Sequence, residues 1–135
     1  MPSSKRIGRS LAAVLAGLVA VVALSIGTDL LMHSIGALPE FGEPMGQGHA
    51  VLALGYRIVY GIVGGYIAAR LAPRAPVTHA IWLGIIGLLI GIAGALATWG
   101  KGPQFGPGWY AIAVFAIAIP TAWYGGRLLE NSRRA

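Results

Sequence analysis

Four apolar runs of about twenty residues dominate the chain, at roughly 11–32, 50–71, 79–99 and 109–128. As helices rising about 1.5 Å per residue, each measures about 30 Å, the thickness of a bilayer's hydrocarbon core. In hydrocarbon the backbone must satisfy its own hydrogen bonds, so runs of this kind have to be helical. Glycine- and proline-rich breaks separate them: GALPEFGEPMGQG at 36–48, the Pro73–Pro76 turn and GKGPQFGPG at 100–108. The expected fold is therefore all-α, a single domain over 1–135 with four transmembrane helices in an up-down antiparallel bundle. Composition supports this: hydrophobic residues are 56% of the chain and charged residues 10%, too little polar surface to cover a soluble core.

The net charge of +6 raises a nucleic-acid reading, which the placement of the charges excludes. Lys5, Arg6 and Arg9 precede the first run, Arg70 and Arg74 lie between the second and third, and Arg127, Arg133 and Arg134 close the chain. In an up-down bundle all of these fall on one side, and only Lys101 lies opposite. The positive-inside rule makes that richer side cytoplasmic, with both termini there. Trp99, Trp109 and Tyr110 would form the outer aromatic belt, and Trp82, Trp123 and Tyr124 the inner one. The basic leader and first run also have the outline of a signal peptide, with a passable cleavage pattern at Ala23-Leu24-Ser25. The run continues through Met32, which favours a spanning helix.

The second run, GYRIVYGIVGGYIAARLAP at 55–73, carries Arg57 inside an apolar segment. An unpaired charge there costs about 3 kcal/mol or more. Helices one and two are joined by a short loop and run antiparallel, with ends near 35 and 50. That register puts Asp29 and Arg57 at one depth, about two turns from the outer surface. We expect a charge-assisted pair between them, either locking the hairpin or lining a polar cavity open to the outside. His33, at i+4 from Asp29, and Tyr60, one turn from Arg57, complete the candidate intramembrane polar site Asp29, His33, Arg57 and Tyr60. His33, His49, Glu40, Glu43 and Asp29 gather at the outer end of this hairpin, but no pair has a zinc-motif spacing, and neither metal nor cofactor is expected. The chain has no cysteine and no serine or histidine motif at catalytic spacing, so no enzyme is expected.

Glycines supply packing faces. Gly61 and Gly65 form one small-xxx-small pattern, and Gly84, Gly87, Gly91 and Gly94 draw a stripe along helix three. They either close the bundle or join it to a second copy or another membrane protein, with Ala13, Gly17 and Ala20 as a matching surface. Pro120 should kink helix four, with Thr121 beside it to satisfy a freed carbonyl.

The strings GGYIAARLAP, the Trp99–Pro103 stretch and AIPTAWYGGRL resemble small four-helix bacterial integral membrane proteins to which no activity is attached. The resemblance covers most of the chain beyond Gly27. It implies a bacterial inner-membrane setting, and no residue role transfers with it. Small multidrug-resistance transporters differ in having a glutamate central in helix one. Fluoride channels of this size need nearly balanced positive charge, unlike the bias here. The function expected is an interaction or accessory subunit in the membrane; the alternative is a small transporter or channel using Asp29 and Arg57.

Overall fold

The structure is a computed structural model and describes residues 4–39, 43–102 and 105–134. The described residues contain five α-helices: α1 Ser4–Ser34, α2 Gln47–Leu71, α3 Pro76–Thr98, α4 Gly108–Ala116 and α5 Ala118–Arg134. No strand occurs among them. Helices α4 and α5 together make the fourth apolar segment, so four helical segments are long and apolar enough to cross a membrane. The loop residue Glu40 and Pro103, the end of the Trp99–Pro103 stretch, lie outside the described residues.

The helices extend past the expected ends. α1 begins at Ser4, seven residues or so before the apolar run, because polar residues such as Lys5 and Arg6 are good helix formers that hydrophobicity alone does not score. It runs unbroken through Ala23–Ser25. The fourth crossing is interrupted at Ile117, three residues before Pro120. Proline has no N–H for the carbonyl at i−4, here Ala116, and its ring crowds that carbonyl. The Thr121 hydroxyl donates to Ile117 O at 2.7 Å, with a longer contact to Ala118 O at 3.3 Å. It therefore reinforces the turn beside the break and does not reach the Ala116 carbonyl.

α2 is the hub, packing against α1, α3 and α5, while α3 also packs against α4 and α5. The surfaces that meet are small. Ala13, Ala50, Ala53, Ala68, Ala69 and Ala80 are buried, whereas Leu15, Val19, Leu89 and Leu96 are exposed. This core of small residues under a coat of large apolar ones inverts the soluble pattern and lets backbones approach. Gly17 packs on Gly64, where an added methyl would come within 2.6 Å of the Gly64 carbonyl. A methyl on Gly65 would overlap the Ala122 carbonyl, and one on Gly125 the Ile62 carbonyl. Gly61 makes room for Thr121, Gly84 for Ile119 and Gly91 for Phe115.

The expected stripe on α3 is thus used unevenly. Gly84 and Gly91 are close contacts, Gly87 meets only the Ala118 methyl at 3.4 Å, and Gly94 faces open space. Gly94 is no packing residue within this chain: a methyl there would meet nothing within 4 Å, although Gly108 beyond it packs on Trp99.

Candidate functional site

One charged cluster joins three helices away from the chain ends. Arg57 Nη2 on α2 donates to Asp29 Oδ2 on α1 at 2.6 Å, and Arg57 Nε donates to the Tyr110 hydroxyl on α4 at 2.8 Å. The Tyr56 hydroxyl donates to the other carboxylate oxygen, Asp29 Oδ1. Both oxygens of Asp29 are therefore engaged, as are two of the guanidinium nitrogens. The Arg57 guanidinium also lies 5.6 Å from the centre of the Tyr56 ring, within cation–π range. The side chains of Arg57 and Asp29 are 24% and 28% exposed. Local sequence explains the reach: Tyr56 and Arg57 are consecutive on α2, so the helical turn sends one to the carboxylate from its flank while the other spans between α1 and α4.

The remaining residues of the expected site divide. Tyr60 does not bind the ion pair; its hydroxyl meets Thr28 Oγ1 at 2.6 Å, and its ring leans on Tyr56 with centroids 5.9 Å apart. It forms a second polar rung between α1 and α2, one turn from the first. His33 does not reach Asp29's partners either. Its Nδ1 bonds the Pro39 carbonyl and so holds the end of α1 to the loop that follows. His49 Nδ1 accepts the Gly46 N–H at 3.1 Å and caps α2. No cluster of three metal-ligating side chains forms among the described residues, and Glu40 lies outside them.

Two participants escape a reading by sequence. Tyr110 was expected in the outer aromatic belt, yet it turns inward to Arg57. Arginine carries five donors and one carboxylate cannot take them all, so a further acceptor at that level was the available signal. Trp109 beside it does stay at the surface and donates to Gln47 Oε1 at 2.6 Å. The other feature is a cavity of about 310 Å³ among all four crossings, reached by Asp29 and Arg57. Its walls include Leu18 and Val21 of α1, Leu83 of α3, and Val114 and Ile117 of the fourth crossing, with Ser25 and Thr121 as the further polar groups. The helix break at Ile117 borders it, and Gly87 leaves it wider than a larger residue would.

Comparison with protein-family models, with curated proteins and with solved structures gave no match.

Proposed function

We propose that the chain is a multi-pass protein of the bacterial inner membrane, an up-down four-helix bundle with both termini cytoplasmic. It acts without catalysis, as an interaction or accessory subunit. The supporting observation for orientation is the gathering of basic ends. His79 at the start of α3 bonds Ser10 at 2.9 Å, and Arg133 donates to the Arg70 carbonyl at 3.2 Å, so the arginine-rich segments share one end. The accessory role rests on the charged cluster being closed on itself: both Asp29 oxygens and two Arg57 nitrogens already have partners. Such a cluster clasps helices. Among the helical glycines, Gly8, Gly27, Gly48, Gly55 and Gly94 remain open, and a partner helix would approach at Gly27, Gly55 and Gly94, away from the helix starts. Purification of the tagged protein in mild detergent tests this. A second membrane protein should co-purify in fixed ratio and be lost on Gly94→Ile or Gly55→Ile. Recovery of the chain alone under cross-linking would sink the reading.

One observation favours a second reading, a small transporter or channel: the cavity extends from the ion pair into the bundle. Solute flux into proteoliposomes that depends on Asp29 and Arg57 would establish it; no flux with both residues intact would count against it.

A further inference from the structure

Three features of the cavity combine. First, it has the size and lining of a small-molecule site, about 310 Å³ with mostly aliphatic walls and a few polar groups. Second, Ser25 lines it, is only 8% exposed, and makes no hydrogen bond among the described residues. No fully enclosed side-chain polar atom among the described residues lacks a partner, so the Ser25 oxygen meets the open space of the cavity, where a ligand's polar group can reach it. Ser25 lies one helical turn from Asp29 on the same face of α1, so the open hydroxyl and the ion pair stand at neighbouring levels of one wall. Third, the cavity has an apolar rim. Val22 and Ile26 of α1 and Ile90 of α3 line it and are also 43%, 55% and 53% exposed. α1 and α3 are held together further along, where Val14 and Leu18 meet Leu83 and Ile86. The cavity therefore opens sideways between these two helices.

We propose that this cavity binds a small amphiphile from the lipid phase, with an apolar medium-length body and one uncharged hydrogen-bonding head, an alcohol or a carbonyl. The inference rests on the membrane reading above and assigns a ligand that neither functional reading names. The sideways rim of Val22, Ile26 and Ile90 faces hydrocarbon once the bundle is in a bilayer, so the ligand has to dissolve there. The aliphatic walls take its body. Ser25 supplies the hydrogen bond for its head: the hydroxyl donates to a carbonyl, or both donates to and accepts from an alcohol. The head is uncharged because Arg57 and Asp29 already cancel each other; a further charge at that depth would stand without a counter-ion.

The test uses the full chain in phospholipid vesicles with decan-1-ol carrying a mid-chain diazirine, followed by photolysis and peptide mapping. Label should fall on cavity walls from several crossings, such as Val21, Leu83 and Val114. Decan-1-ol should compete it away, with decane and decanoate much weaker. Ser25→Ala, which removes one hydroxyl and no packing, should weaken competition by decan-1-ol about fivefold and leave decane unchanged. Label confined to outward residues such as Leu15, Val19 and Leu96 would overturn the site. Equal competition by decane, or stronger competition by decanoate, would overturn the uncharged polar head. Flotation of the protein with the vesicles, read in the same samples, reports the membrane reading separately. Its failure would remove both, whereas misplaced label in floating protein removes this site alone.

Discussion

The two ends of the bundle are held by different physics. Toward the α2–α3 turn, helices meet through backbone: Gly17 on Gly64, Gly65 on Ala122, Gly125 on Ile62, and Gly126 on Ala80. Dispersion between closely approaching main chains does most of the holding there, with polar bonds such as Arg133 to the Arg70 carbonyl added at the very end of the bundle. Toward the 36–48 loop the glycines give way to Asp29, Tyr56, Arg57 and Tyr110, and a cavity lies beside them. Directional, charge-assisted hydrogen bonds bridge longer gaps between helices than glycine contacts do, so the helices can splay without separating. The contrast teaches that a small bundle can keep an internal space where polar clasps join helices at one edge of it, even though Gly61, Gly84 and Gly91 on its walls still make close contacts.

That contrast can be broken or sharpened by substitution, with thermal unfolding in a fixed detergent as the common measurement. The largest effect is expected for Arg57→Ala, a loss of about 3 kcal/mol, since it strands a partly buried carboxylate. Asp29→Asn should lose less, because the amide oxygen still accepts from Arg57 while its NH2 can donate to the Tyr56 hydroxyl. An unchanged melting temperature for Arg57→Ala would mean the ion pair holds nothing. Gly65→Ala comes next, at about 2 kcal/mol, as its methyl has only the Ala122 backbone to displace. If Gly65→Ala proved neutral, the idea of backbone-to-backbone holding would fall. Tyr110→Phe should cost about 1.5 kcal/mol, the scale of a hydrogen bond to a charged group. A cost equal to that of Tyr60→Phe would show that charge at Arg57 adds nothing. Smallest is Gly94→Ala, expected to gain about 0.5 kcal/mol from helix propensity in open space. Destabilisation there would instead point to a packing partner on that face.

Much of this arrangement was legible in the residues. Apolar run length gave four helical segments long and apolar enough to cross a membrane, and Pro120 marked the break in the last to within three residues. The antiparallel register of the first hairpin sufficed to put Asp29 opposite Arg57. Other features depended on angles that spacing does not carry. Tyr60 and Tyr56 are four apart on one face, yet only Tyr56 reaches the carboxylate, because a tyrosine is rigid and a one-turn offset exceeds its reach. Tyr110 reads as an interfacial aromatic until the fourth crossing is placed beside α2. Gly94 belongs to the stripe by period and falls outside it by position.

Hydropathy and run length alone dictated four helical segments of membrane-spanning length, since long apolar runs satisfy their backbone best as helices and the loops are too rich in glycine and proline to continue them. The placing of one acid and one base in apolar runs required that the two meet. Which tyrosines would join them, which glycines would touch, and that a space would remain beside Ser25 were decided only when four cylinders took their mutual rotations. Those rotations minimise the whole packing energy at once, and no single segment encodes them.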